Sequence, residues 1–418
     1  MEKKLFTGYD IFMIAILSII QFTVILDFMV LSPLSAILLP ELKITTVQFG
    51  LVVSAYAFSA GASGLIAAGF ADKFDRKKLL MFFYTGFVIG TFLCGIAPDY
   101  TSLLIARIVT GIFAGVIGSI NFAIITDLFR MEVRGRVMGF VQMAFAGSQV
   151  LGLPIGLYFA NLWGWHSPFL MIVAVCVVVG ILIVIYMKPV DSHLSLQSDK
   201  HPVQHLVSTL SKKTYLKGFA ATTLLATGGF MMLPFGSAFS VNNLGISLKS
   251  LPTLYFITGI CSMIAAPLVG KWSDSAGKYL VFCLGSILTM VVTVIYCNLG
   301  ITPLWIVIAI SAIMFVGVSS RMVSSSALMT AVPDPADRGA FMSINASVQQ
   351  ISGGIAAFIA GLIVYQTPSG KILHYDILGY VVCVATIITM LMMFTIHRFV
   401  ESKKMASAQS PMKEGMAA

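Results

Sequence analysis

Gln21-Phe-Thr-Val-Ile-Leu-Asp27-Phe-Met-Val-Leu-Ser-Pro33 lies inside a run from Ile11 to Pro40 whose only charged residue is Asp27. About 20 apolar residues suffice to cross a bilayer as a helix, so this run is long enough to span one. A carboxylate inside such a helix costs several kcal/mol unless it is paired, hydrated or protonated. The other acidic residues fall in loops or near the ends of apolar runs, and Asp27 alone sits deep. A chain that moves protons across the bilayer would carry them here.

The rest of the chain repeats the pattern of that run. Of 418 residues 58% are hydrophobic and only 10% charged, with a mean hydropathy of +0.95. Soluble domains carry roughly 25% charge, so the composition predicts a polytopic membrane protein. Apolar segments of spanning length recur at about 11–33, 47–70, 79–97, 102–126, 137–160 and 169–187, and again at about 217–240, 251–270, 279–297, 303–329, 339–364 and 377–397. The expected architecture is all-α, with twelve transmembrane helices in two six-helix bundles. Residues 1–187 form the first bundle, 188–216 a linker, 217–400 the second bundle and 401–418 a disordered tail.

The net charge of +9 does not indicate a nucleic-acid partner, because the basic residues occur in short clusters between apolar runs. Lys3-Lys4, Lys73 to Lys78, Arg130 to Arg136, the linker, Lys271 to Lys278, Arg338 and Arg398 to Lys404 alternate with loops holding only Lys43, Lys249 and Lys371. The positive-inside rule then places both termini in the cytoplasm. The first apolar segment is too long for a signal peptide and lacks a small-residue cleavage site, so it is expected to be retained. The linker holds three of the six histidines, and its second half, residues 205–216, is either a short surface helix or a plain connector. The six cysteines lie in apolar runs without CxxC spacing, which indicates packing and neither disulfides nor a metal site.

The two halves repeat internally. Ala68-Gly-Phe-Ala-Asp72-Lys-Phe-Asp-Arg-Lys77 matches Gly270-Lys-Trp-Ser-Asp274-Ser-Ala-Gly-Lys278 at an offset of 202, and Asp27-Phe-Met-Val-Leu31 matches Gly229-Phe-Met-Met-Leu233 at the same offset. Arg134-Gly135 and Met138 match Arg338-Gly339 and Met342 at 204. Repeated halves suggest a two-bundle carrier with its substrate site near the midplane. Asp27 has only Gly229 opposite it, so ionisable chemistry is confined to the first half.

With these features the chain resembles the major facilitator superfamily over essentially its whole length, and in particular its twelve-helix drug:proton antiporters of the arabinose and multidrug efflux-like branch. Asp72, Lys73, Arg76 and Lys77 match the superfamily's signature loop after the second helix, although Ala68 and Asp75 stand where glycines are usual; Asp274 and Lys278 belong to the partial second copy. An acidic residue facing basic residues and a helix N-terminus can form a cytoplasmic latch that breaks as the bundles rock; simple positive-inside anchoring is the other reading. Arg107-Ile-Val-Thr-Gly111-Ile-Phe-Ala-Gly115 resembles the Arg-x-x-x-Gly motif of the proton-coupled exporters. Arg107, Gly111, Ala114, Gly118 and Asn121 form one small, polar stripe, and the depths of Arg107 and Asp27 permit an ion pair, either coupling or structural. Gly147-Ser-Gln-Val-Leu-Gly-Leu-Pro-Ile-Gly156 resembles the antiporter signature of helix 5, with Leu153 inserted between Gly152 and Pro154.

The resemblance implies proton-coupled export of a small amphipathic or hydrophobic compound by alternating access. Asp27 and Arg107 are the expected proton-coupling pair. Asn121, Gln142, Gln149, Arg321, Asn345, Gln349 and Gln350 are the candidate substrate residues, because they are polar groups on spanning segments. Arg321 has no acidic residue at its depth and must meet carbonyls, water, amides or an anionic group on the substrate. An importer or facilitator of an organic anion or sugar on the same fold is the alternative. No Gly-x-x-x-x-Gly-Lys-Ser/Thr loop is present, so the expected driving force is a proton gradient and neither a nucleotide nor another cofactor. No set of intramembrane residues suggests an enzyme. The expected partners are a small-molecule substrate and the lipid bilayer, in a monomer of the bacterial inner membrane.

Overall fold

A computed structural model describes residues 6–67, 71–191, 194, 208–334 and 337–415, with the side chains of Asp72 and of residues 404 and 406–415 outside that description. Among the described residues, twelve helices are long and apolar enough to cross a membrane. They are α1 (Gly8–Val30), α2 (Thr46–Ala67), α3 (Arg76–Gly95), α4 (Tyr100–Leu128), α5 (Met131–Trp163), α6 (Ser167–Tyr186), α7 (Lys213–Asn242), α8 (Leu248–Ala276), α9 (Lys278–Cys297), α10 (Leu304–Met329), α11 (Arg338–Ile363) and α12 (Tyr375–Gly415, apolar to Lys403). The all-α twelve-helix architecture expected from the apolar runs is present. One two-residue ladder, Tyr365–Gln366 with Ile372–Leu373, joins α11 to α12. Twelve crossings put both chain ends on one face, here called the basic face because the charged loops lie there too.

Polar residues set several helix starts. Thr7 and Asp10 form a reciprocal capping box at α1, while the carboxylates of Asp75 and Asp99 accept the backbone N–H groups of Lys78 and Ser102 at α3 and α4. In the last helix the backbone continues to Gly415, through residues 401–415, the stretch expected as a tail. Ala, Met, Lys, Glu and Gln there are good helix formers, Pro411 is not, and Lys403 tethers their start to the α10–α11 loop. Of the linker, residues 208–211 are helical and α7 begins at Lys213; the rest of the helix considered over 205–216 lies largely outside the described residues.

The repeat seen in the sequence has a structural counterpart. The first helix of each half breaks at a proline, Pro33 or Pro234, and resumes as a seven-residue helix, Ser35–Glu41 or Gly236–Asn242. Proline removes one ladder donor and crowds the preceding turn, and each break falls in the turn before it. These two short helices pack on each other away from the basic face, where Ser35 Oγ accepts the Ala238 amide at 3.2 Å. Asn161 at the end of α5 donates to the Leu248 carbonyl at the start of α8 on the same face.

The seam between α2 and α11 is the most extensive helix contact. Glycine makes it possible: a Cβ on Gly50 would lie 2.9 Å from the Ala357 carbonyl, and one on Gly361 2.7 Å from that of Thr46. Thr46 and Ser54 hydroxyls donate across it to the carbonyls of Val364 and Gly354. The seam continues toward the basic face, where a Cβ on Gly64 would lie 3.3 Å from Ser347 Oγ and Leu65 packs against the second half. One hydrophobic core runs through the first half and the far ends of the second, whereas Tyr215, Phe219, Phe282, Phe341 and Ile344 form a separate core in the second half. The basic-face half of α5 packs on α1, and Phe140, Met143 and Phe145 are exposed.

Candidate functional site

Asp27 lies one turn before the end of α1, with no accessible surface. Arg107 of α4, 1% exposed, donates from Nη1 to Asp27 Oδ2 at 2.9 Å and to the Asp27 carbonyl at 3.3 Å. Thr91 of α3 donates to the other carboxylate oxygen at 3.2 Å. The guanidinium also lies over the Tyr56 ring of α2, 4.3 Å from its centroid. Arg107 Nε has no hydrogen-bond partner among the described residues. Four helices thus converge on one ion pair in the interior of the first half.

Backbone proximity makes this arrangement possible. A Cβ on Gly111 would lie 2.5 Å from the Tyr56 carbonyl, and one on Gly90 2.8 Å from Thr110 Cα. The Arg-x-x-x-Gly spacing therefore seats α4 on α2 and brings Arg107 onto Tyr56. The sequence reading named Asp27 and Arg107 but not Thr91 or Tyr56. Gly90 directly before Thr91 was the available signal, since small residues mark close helix approach.

Below the stripe, Asn121 is buried and donates to Gln21 Oε1 of α1 at 3.2 Å, while its own Oδ1 has no partner among the described residues. α5 carries a π-helical turn, Ser148–Gly152, ahead of Pro154, a geometry often found where a helix serves a site. Gln149 lies in that turn and lines a small cavity between the halves, about 40 Å³, together with Met29, Leu233, Tyr255, Thr258 and Phe315. Gln142 is exposed and does not share that cavity with it. Phe28 and Phe230 meet across the halves at 5.7 Å, and Phe28 also touches Tyr56, so a single ring links the ion pair to the interface.

In the second half, Asn345 accepts from Thr222 at 2.6 Å, and Gln349 and Gln350 are half-buried on α11 away from the cavity lining. Arg321 of α10 is 3% exposed, and its Nε and Nη2 have no hydrogen-bond partner among the described residues. Arg76 pairs with Asp127 at the end of α4 at 3.0 Å, and Lys77 donates to the Val184 and Met187 carbonyls at the end of α6. Both ties stay within the first half. Lys73 and Asp274 are exposed, Lys278 is half-buried at the start of α9, and the side chain of Asp72 lies outside the described residues. A second set of ties was not foreseen. Asp337 accepts from Lys212 and Tyr215, and Asp334 from Lys403 at 2.7 Å.

A family model described as Major Facilitator Superfamily matches residues 17–357 and 218–414. The chain is 26% identical over 271 residues to the MFS-type transporter YceJ of Bacillus subtilis, covering 64% of this chain and 68% of that one. It is 32% identical over 152 residues to Multidrug resistance protein 3 of the same organism, 36% of this chain and 30% of that one. Its fold resembles that of a bacterial homologue of the human lysosomal transporter Spinster in an inward-facing, unoccupied conformation, with a TM-score of 0.72 at 15% identity over 94% and 97% of the two chains.

Proposed function

Because this chain belongs to the Major Facilitator Superfamily, a family of secondary transporters, we propose that it exports a small amphipathic or hydrophobic compound in exchange for protons. The observation that carries this reading is the fully buried pair of Asp27 and Arg107. A buried carboxylate is costly when charged and alone, and tolerable when paired or protonated. Protonation of Asp27 removes the charge that holds Arg107, so the guanidinium keeps only Tyr56 and neutral acceptors. That change at the end of α1, transmitted through Phe28 to Phe230, biases the packing of one half on the other.

With the basic loops placed in the cytoplasm by the positive-inside rule, the basic face is the inner one, and the lipid bilayer is the bacterial inner membrane. Substrate enters there and meets Gln149, with Asn121, Gln142, Asn345, Gln349, Gln350 and Arg321 on surrounding helices. The loop set Asp72, Lys73, Arg76, Lys77, Asp274 and Lys278 forms a latch when that face closes. A monomer carries the full cycle, since the six-plus-six repeat supplies both halves. Arg321 favours a second version of this reading, in which the solute carries a carboxylate.

The test loads inverted vesicles with a pH-sensitive dye and adds lipophilic cations, neutral drugs and organic anions to a preformed proton gradient. Compound-triggered proton release is the expected result. Solute counterflow without any proton movement would replace antiport by facilitated diffusion.

A further inference from the structure

Arg321 is buried in the second half with two guanidinium nitrogens unpartnered among the described residues. Between residues 218 and 400 the only acidic residues are Asp274, Asp334, Asp337 and Asp376, all in loops or at helix ends. No carboxylate of this half is therefore available at its depth. The guanidinium lies instead against Gly228 of α7, where a Cβ would stand 3.2 Å from Nη2, 3.7 Å from Nη1 and 3.7 Å from Thr386 Oγ1 of α12. The Thr386 hydroxyl is buried and likewise has no hydrogen-bond partner among the described residues.

The internal repeat gives this placement a meaning. Asp27 of α1 corresponds at the offset of 202 to Gly229 of α7, the exposed neighbour of the buried Gly228, so α7 carries no carboxylate at the level where α1 does. In the first half an arginine and a threonine hydroxyl converge on Asp27. In the second half an arginine and a threonine hydroxyl converge on a glycine. The donors are present and the protein's own acceptor is not. Two donors of this kind, with the charge fixed on arginine, suit a compact monovalent acceptor.

We propose that Arg321 and Thr386 hold a small monovalent anion beside Gly228, either chloride or the carboxylate of a transported solute. The ion balances a cation that the bilayer interior would otherwise leave uncompensated. This deepens the substrate role given to Arg321 above, yet its test reads binding and not transport. Failure of proton coupling and absence of an anion site are thus separate outcomes.

The experiment measures thermal unfolding of the purified full-length protein in detergent against chloride, acetate and benzoate, at constant ionic strength with the bulky sulfonate MES as balancing anion. Wild type is expected to show a saturable rise in midpoint with at least one of these anions. Saturation by chloride alone assigns an inorganic ion, and saturation by the carboxylates assigns the solute's headgroup. Gly228→Asp supplies an internal carboxylate, the flexible end of Arg321 giving way, and should weaken the apparent affinity by at least about tenfold. Arg321→Gln should abolish the dependence, and Gly228→Asp keeps the test open if that variant fails to fold. No saturable dependence in wild type, or an unchanged half-saturation in Gly228→Asp, overturns the assignment.

Discussion

Asp27 and Arg107 are held at 2.9 Å with almost no accessible surface between them, so each is the condition for the other's charge. Removing one partner of such a pair costs about 3–5 kcal/mol, because the survivor stays buried and uncompensated. Arg107→Gln should therefore destabilise the protein by that amount, while Asp27→Asn with Arg107→Gln recovers much of it. Thermal unfolding of the four members of the cycle in detergent measures this, and additive losses would show that the two groups do not depend on each other. Depth along α1 and α4 made this pair legible in the sequence, since both residues are charges in otherwise apolar runs. Thr91 and Tyr56 were not legible, because hydroxyl and aromatic residues are common in membrane helices and periodicity does not tell which neighbour a face meets. Arg321 was legible as a deep cation, but its meeting with Gly228 depends on packing between two distant segments.

At the scale of elements, small residues decide how close helices come. A Cβ on Gly115 would lie 2.1 Å from the Ala60 carbonyl, whereas one on Gly118 meets nothing within 4 Å. Gly115→Leu should thus prevent a folded protein from accumulating, and Gly118→Ala should leave the unfolding midpoint within a degree or so of wild type, since open sites cost within about 0.5 kcal/mol. The sequence presents Gly115 in the motif and Gly118 in the polar stripe as similar small residues, and only the neighbouring backbone of α2 distinguishes them. The α12 extension supplies a pH-dependent contact. Lys403 donates to Asp334 at 2.7 Å and holds that carboxyl below its ordinary range. A lowered acid pKa contributes stability that is present above the ordinary carboxylate pKa and lost as pH falls through the lowered value. Hydrogen-exchange protection over residues 401–415, corrected for the intrinsic pH dependence of exchange, should accordingly stay flat from pH 8 to 6 and fall under acid conditions. If Asp334→Asn showed the same acid-induced fall, the tether would lie elsewhere. The composition of 401–415 is small and polar, and no apolar period signals that its backbone continues α12.

At the scale of the molecule, the two halves meet along α2 and α11 and through the paired seven-residue helices. Twelve spans and a six-plus-six division were plain in the apolar runs, because bilayer thickness fixes their length. The contacts between the halves were not, since they depend on which faces of distant helices meet. Alternating access requires the Ser35–Ala238 contact to separate in each cycle. A disulfide between Ser35→Cys and Ala238→Cys should stop transport under oxidising conditions, with activity returning on reduction; full transport by the cross-linked protein would mean that this seam does not move.

In the proposed cycle Asp27 couples protons to solute movement. Wild type and Asp27→Asn are compared in proteoliposomes, measuring both gradient-driven uphill transport and gradient-free exchange of labelled solute. Asp27→Asn should lose uphill transport and substrate-triggered proton release while exchange persists, because a neutral amide fixes the protonated state without blocking the rocking of the halves. Uphill transport at the wild-type rate in Asp27→Asn would contradict this coupling.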